Sequence, residues 1–344
     1  MSARSSFLIV KLAAAGDVLL TTALAHALRQ ARPEATIGWV TTSYAAPLLE
    51  NNPDLDEVLA LPAQNAWAWI GALRNWRRRH RETTLLLAHR SRRLYVSARL
   101  WHRGPVIAWG RGAAFGLESS RLLRQQGLLE AAGIHAAGGQ LCPQLCLSAS
   151  EGARGEALWA SAGKRPRWVI AAGGASNPWS AMPNRVWPRE RFLELALRAH
   201  AAGVALRWIG SAGDRERTEW ICARLPEGAR TDLAGKLPLR HSAGVIAGAH
   251  LVIGNDSLAL VMAHALARPA MGLYGPTRAA HIHAPGQPCL QGIAGCGPCY
   301  DPRHGRRGQA YRCPRARCME QISAAAVWNQ AQRFLLRREL VHAG

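Results

Sequence analysis

Twice along this chain a short apolar run breaks into small residues and flows into an amphipathic helix, and that double start limits the possible folds more than any other feature. Residues 7–12 (FLIVKL) end in AAAGD and continue as VLLTTALAHALRQARP. Leu20, Leu24, Ala27 and Leu28 recur at the spacing of one helix face, and Pro33 stops the pattern. Strands are predicted at 36–41 and 58–61 with a short helix over 44–50 between them. The series continues with strands at 84–88 and 106–109 and a helix over 117–132. The second run starts near Trp168 (WVIAAGG). It alternates helix 191–202, strand 205–209, helices 215–224 and 239–249, strand 251–254, helix 258–267 and strand 270–274. Strands alternating with helices argue parallel sheets covered by helices. The expected class is therefore α/β with two doubly wound units. A polar stretch over 149–166 is read as the link between them, and an amphipathic helix over 323–340 closes the chain, with Val327, Ala331, Phe334 and Leu335 on one face.

A length of 344 residues exceeds what one hydrophobic core usually serves, which also points to two domains. The apolar fraction of 49% and charged fraction of 19% are those of a globular protein. No uncharged apolar run reaches the ~18 residues of a membrane span. The N-terminal apolar stretch is broken by Lys11 and Asp17 and lacks a small-residue cleavage site, so a cytoplasmic protein is expected. Lys and Arg number 43 against 22 Asp and Glu, a net charge of +21. Such a field attracts nucleic acid, an anionic membrane face or a phosphorylated glycolipid alike, and it also fits a plain solvated surface. The densest basic cluster, residues 74–81 (RNWRRRHR), has Trp67, Trp69 and Trp76 nearby. That mixture suits a membrane interface, and ordinary packing of the tryptophans fits as well. No nucleic-acid-binding motif accompanies the charge.

Ligands of open α/β sheets sit where strand-to-helix turns expose backbone N–H groups and helix N-termini. Three turns qualify. Gly16 and Asp17 occupy the first, Gly173, Gly174, Ala175 and Ser176 the second, and Asn255, Asp256 and Ser257 the third. A carboxylate or hydroxyl at such a turn also serves as a simple helix cap, and spacing alone leaves both roles open. No phosphate-loop or complete dinucleotide fingerprint is present.

Taken in order, these residues resemble a known family. GDVLLTTALAHALRQARPEATIGWV and LLENNPDLDEV, then GGAS, RVWPRERFLELA, WIGSAGDRER, DLAGKLPLRHSAGVIAGAHLVIGNDS and ARPAMGLYGPT, are similar to successive segments of the ADP-heptose:lipopolysaccharide heptosyltransferases of glycosyltransferase family 9. The resemblance runs over about residues 6–340. It implies a GT-B fold of two facing Rossmann-like domains. Residues 1–155 would bind the acceptor, 165–322 the nucleotide sugar, and 323–344 would form a closing helix that returns to the first domain. It implies metal-independent, inverting transfer of heptose from ADP-heptose to a lipopolysaccharide core acceptor at the inner membrane face. Asp17 matches the family's Gly-Asp, whose carboxylate takes the proton from the acceptor hydroxyl. Arg185 falls where the family usually has Lys, and either cation stabilises a departing diphosphate. Gly174, Ala175 and Ser176 fall at the donor turn. Glu216 falls near the family's ribose-binding acid, with Asp214 as competitor, and Asp256 and Ser257 match its sugar and phosphate site.

Two positions depart from the family. Leu258 stands where the pattern has Gly, and Val261 where it has His, with His264 one turn beyond. This raises a non-catalytic member that only binds nucleotide sugar as one alternative. A protein or other glycan acceptor is another. A third feature is cysteine spacing: Cys296-x2-Cys299 and Cys313-x4-Cys318 are two close pairs with the ligand spacing of a tetrahedral thiolate site. Some family members carry a similar cluster ahead of the closing helix. Structural zinc or iron and reduced free thiols are both compatible with it, and neither enters the transfer chemistry.

Overall fold

The computed structural model describes residues 5–62, 66–89, 91–109, 120–135, 141–174, 176–177, 180–301 and 308–342. The chain divides into two compact units, Met1–Cys146 and Leu147–Gly344.

In the first unit the elements run β1 (Ser6–Val10), α1 (Ala15–Ala31), β2 (Thr36–Thr42), β3 (Glu57–Leu61), α2 (Ala66–Arg79), β4 (Thr83–Leu87), α3 (Arg92–Trp101), β5 (Val106–Ala108) and α4 (Arg121–Ala131). The strands form one parallel sheet in the order β3-β2-β1-β4-β5. β1 lies at the centre, and every residue of it is buried, as a strand covered on both faces requires. The chain leaves β1 toward β2 and β3, then returns to β4 on the other side of β1. The boundary of β1 and β4 is thus the switch point of the sheet, where ligands of such folds bind.

Trp69 and Trp76 of α2 are fully buried in the core with Leu8, Val40 and Leu85. Trp69 Nε1 donates to Ser97 Oγ at 3.0 Å, and Trp76 Nε1 to Thr83 Oγ1 at 3.0 Å. Gly38 makes room for Trp76, because a Cβ there would stand 2.3 Å from its ring. Burying roughly 150–250 Å² of ring surface stabilises by about 4–6 kcal/mol apiece, so these two side chains serve packing and not a membrane interface. Trp67's side chain lies outside the described ones. The arginines take the outer side of the same helix, where Arg79 makes a two-pronged pair with Glu57 at 2.7 and 2.8 Å.

The second unit runs α5 (Ala149–Ala157), β6 (Arg167–Ala171), the two-residue strands β7 (Ser176–Asn177) and β8 (Ser180–Ala181), α6 (Arg189–Ala201), β9 (Ala205–Trp208), α7 (Arg215–Cys222) and α8 (Leu239–Ala247). It continues with β10 (Leu251–Asn255), α9 (Leu258–Ala265), β11 (Ala270–Tyr274), α10 (Ala279–Ile282), β12 (Cys289–Gln291), α11 (Gln309–Arg312), α12 (Arg317–Glu320) and α13 (Ala324–His342). The main sheet is parallel with order β12-β11-β10-β6-β9, which puts its switch point between β6 and β10.

The stretch over 149–166 is not a linker. Ser148 and Glu151 form a capping box that starts α5. The helix then packs so tightly on α8 that a Cβ on Gly155 would stand 2.2 Å from the Gly244 backbone. Glu151 forms a two-pronged pair with Arg240 of α8, one arm at 2.7 Å. Val327 and Ala331 of α13 are fully buried with Trp168, Trp187 and Phe192 in the core of this unit, and Leu335 packs against it. Among the described residues no helix is long and apolar enough to cross a membrane.

Candidate active site

Asp17 lies in the first turn of α1, just past the carboxyl end of β1 and beside the switch point. It is not the helix cap: Ala14 holds that position, without a side-chain cap bond. The carboxylate instead turns to α4, where Arg121 Nη1 lies 3.0 Å from Oδ1. Lys11 directly follows β1 and is buried, its ammonium 4.1 Å from the centre of the Trp109 ring. His89 follows β4, on the other side of the switch point.

These groups share one electrostatic environment. Burial pushes the Asp17 carboxyl up, but the positive field led by Arg121 and Lys11 outweighs it and holds the group below its ordinary value. Burial lowers Lys11 to about 8 against the opposing pull of Asp17. Burial also takes His89 down to about 4, so its ring is neutral near pH 7. Asp17 is therefore ionised across the physiological range.

In the second unit the turns after β6 and β10 meet at the switch point. Asn255 is fully buried and ties them: its Nδ2 donates to Ala172 O at 3.1 Å and Gly173 O at 2.8 Å, and its Oδ1 accepts from Trp187 N at 2.9 Å. Gly174 has φ +96°, and a Cβ there would come 2.6 Å from that of Ser257. Arg185 Nε donates to Gly174 O at 2.7 Å, and its Nη1 lies 3.9 Å from Asp256 Oδ2. Gly174, Arg185, Asp256 and Ser257 thus come together, as the sequence suggests. Ser257 is the N-cap position of α9, yet its hydroxyl makes no cap bond and is buried without a hydrogen-bond partner. A buried hydroxyl with no protein partner at a helix N-terminus is free to donate to an anion, as are the first amides of the helix.

Asp214 is the competitor to Glu216, and the structure gives it another task. Its Oδ1 accepts from Gly174 N at 3.2 Å, and its Oδ2 accepts from Ser211 N and Oγ at 2.8 and 2.7 Å. Both oxygens shape the turn, while Glu216 stands exposed in the first turn of α7. Ser176 is exposed in β7, and Ala175 lies outside the described residues. Leu258 is partly buried and Val261 buried on α9. His264 is partly buried and held below its ordinary value by burial.

Sequence reasoning missed several of these groups. Arg121 and Arg124 have no motif around them, Asn255 reads only as part of a turn triplet, and Lys11 reads as a break in an apolar run. Thr277 is nearly fully buried after β11 with its hydroxyl unpartnered. The GPT triplet that contains it was the available signal.

The four cysteines converge. Cys296, Cys299, Cys313 and Cys318 line one cavity of about 710 Å³ with Asn184 and Arg312. They are free thiols, and burial pushes Cys299 and Cys318 up, toward the neutral form. Among the described residues no three His, Cys, Asp or Glu side chains are close enough together to hold a metal ion.

The family model described as Glycosyltransferase family 9 (heptosyltransferase) matches residues 122–301, just over half of the chain. The chain belongs to glycosyltransferase family 9. This heptosyltransferase-family protein is 26% identical over 287 residues to lipopolysaccharide heptosyltransferase 2 of Salmonella typhimurium, covering 76% of the chain and 80% of that relative. Its fold matches the structure of Escherichia coli ADP-heptose lipopolysaccharide heptosyltransferase II with TM-score 0.72 at 22% identity, over 97% and 99% of the two chains. It also matches the dodecameric iron-containing heptosyltransferase TibC in complex with ADP-D-beta-D-heptose, with TM-score 0.56 at 13% identity, over 98% and 78%. Two parallel five-stranded sheets, each in its own unit, place this family 9 member in the α/β GT-B class, and it is a glycosyltransferase.

Proposed function

We propose that this glycosyltransferase moves a heptose from ADP-heptose, with inversion, to a hydroxyl of a lipopolysaccharide core acceptor, and that Asp17 is the general base. The observation that carries the reading is the position of Asp17: an ionised, partly exposed carboxylate at the sheet switch point, with one oxygen held by Arg121. The donor sugar comes from the family and from the ADP-heptose bound by its TibC relative.

In this mechanism Asp17 accepts the hydroxyl proton as the acceptor oxygen attacks the anomeric carbon, and the bond to the diphosphate breaks on the opposite face. Arg185, the Ser257 hydroxyl and the first amides of α9 receive the charge that grows on the leaving diphosphate. Gly174 lets the backbone approach it, and Ala175 and Ser176, next in sequence, are assigned to the same donor segment. Asp256 orients Arg185 and the sugar, and Glu216 takes the ribose hydroxyls, since both oxygens of Asp214 are already engaged. Incubating the purified protein with ADP-heptose and a truncated lipopolysaccharide core tests this. A product heavier by one heptose is expected, and GDP- and UDP-sugars should give none.

The net charge of +21 and the outer arginines of α2 support peripheral, electrostatic attachment to the cytoplasmic membrane face. Molar salt should release the protein from anionic vesicles, and retention there would contradict it.

The spacing of Cys296, Cys299, Cys313 and Cys318 supports structural zinc or iron, which would require the four side chains to draw closer than they stand across their shared cavity. A bound cation would favour thiolates and cross-link the loop that carries them, with no part in transfer. About one equivalent of metal is expected on freshly purified protein, and less than a tenth would dispose of the idea.

A further inference from the structure

Asp17 belongs to a ladder between two helices. Arg121 and Gln125 are four residues apart on α4, and Asp17 and Thr21 are four apart on α1, so each pair shares a helix face. Arg121 Nη1 meets Asp17 Oδ1 at 3.0 Å. One turn on, Gln125 Nε2 donates to Thr21 Oγ1 at 3.1 Å, and Thr21 Oγ1 donates to the backbone oxygen of Asp17 at 2.8 Å. A hydroxyl has one proton, so this chain of donors is fully assigned. Thr21 and Gln125 are buried, whereas the Arg121 and Asp17 side chains are 28% and 32% exposed. The inner rung fixes the register of the helices, and the outer rung opens toward solvent.

The ends of the ladder are fixed as well. Ser120 caps α4 by accepting from Leu123 N, which sets the first turn from which Arg121 projects. Arg121 Nη1 holds Asp17 by Oδ1, and the carboxylate side chain keeps 32% of its surface exposed, so the ion pair fixes its direction without burying it. A base works only when a lone pair points at the proton it removes, and a misplacement of about 1 Å costs on the order of a hundredfold in rate.

We infer that Arg121 is a positioning residue for Asp17, and that Gln125 and Thr21 hold the helix register on which this ion pair depends. The inference rests on Asp17 being the base. The other groups that face Asp17 are Lys11 after β1, His89 after β4 and Arg124 on α4. Lys11 and Arg124 keep their charge near pH 7 when Arg121 is replaced, so the cationic surroundings of Asp17 persist in part and the expected loss is chiefly one of orientation.

The test compares Arg121→Met, Arg121→Lys, Gln125→Leu and Asp17→Asn, each checked for folding by circular dichroism. Readouts are kcat against pH with ADP-heptose and truncated core, donor Kd, and the titration midpoint of the Asp17 carboxyl carbon by NMR, assigned with Asp17→Asn. Arg121→Met should lower kcat roughly tenfold to a hundredfold. Its donor Kd should stay within about twofold, since α4 lies outside the donor unit. The acid limb and the NMR midpoint should both move up. Arg121→Lys should restore part of each, and Gln125→Leu should show a smaller fall in the same direction. If kcat falls but neither limb nor midpoint moves, Arg121 acts on the substrate and the inference fails. If Arg121→Met is normal while Asp17→Asn is dead, the positioning role fails and the base assignment stands. Near-normal turnover by Asp17→Asn would remove the base assignment itself, and the inference with it. Should Arg121→Met unfold, Arg121→Lys carries the same readouts.

Discussion

The amide of Gly174 donates to the carboxylate of Asp214 at 3.2 Å, so the turn after β6 is held by the turn after β9. Asp214 also closes its own capping box with Ser211. Replacing it by Ala removes both restraints, leaves the Gly174 amide without that partner and loosens the donor loop. Asp214→Ala is expected to lose about 1–3 kcal/mol of stability and to weaken ADP binding roughly tenfold. Thermal melts and nucleotide titrations measure the two effects, and unchanged ADP binding would place the diphosphate elsewhere.

The departures from the family at Leu258 and Val261 lie on α9, whose first amides remain available whatever the side chains are. A slow or altered-donor enzyme is therefore expected, not a dead one. Restoring His at 261 adds one donor to a charged group, worth about 1.5–3 kcal/mol, so Val261→His should tighten donor handling roughly tenfold or more. Leu258→Gly should add space at the turn. If both variants fold and neither changes nucleotide binding or turnover, α9 does not hold the diphosphate.

Glu151 is an acid-stability reporter. The two-pronged hydrogen bond from Arg240 holds its carboxyl down at about 2, against an ordinary 4.5. Because the folded value is the lower one, this contribution is fully present above pH 4.5 and fades as pH falls toward 2. Chemical denaturation at a series of pH values should show wild-type stability declining across that window. Glu151→Gln should start lower and decline less there, and parallel curves would contradict the assignment.

Lys11 has the opposite sign. Its folded value of about 8 lies below the ordinary 10.5, so burying its charge costs stability at low pH, and that cost disappears as pH rises from 8 to 10.5. Lys11→Met should be more stable than wild type near neutrality, and the two curves should converge toward pH 10.5. In wild-type kinetics a basic limb near pH 8 is expected, as a cation beside Asp17 discharges, and Lys11→Met should lack it.

Most of the sheet framework was legible, because alternating apolar strands and Gly turns mark parallel sheets regardless of partners. α3 and β12 escaped notice: α3 is arginine-rich with no caps beyond Ser91, and β12 is a three-residue edge strand. The stretch over 149–166 reads as a link in sequence because small residues, Gly155 among them, signal close helix packing as readily as a loop. Asp17, Gly174, Arg185, Asp256 and Ser257 were legible through motif order. Arg121, Gln125 and Asn255 were not, since their roles arise from contacts over 100 residues for Gln125 with Thr21 and 68 for Asn255 with Trp187. No local pattern encodes such a contact.

The proposed transfer depends on one carboxylate, so the most direct measurement is turnover of ADP-heptose by Asp17→Asn beside the wild type, with donor affinity measured on both. The Asn side chain keeps the shape but accepts no proton. Turnover lower by a factor on the order of 10² to 10⁴, with ADP binding and melting temperature nearly unchanged, is the expected result. Turnover close to wild type would show that another group takes the acceptor proton, and would contradict the account.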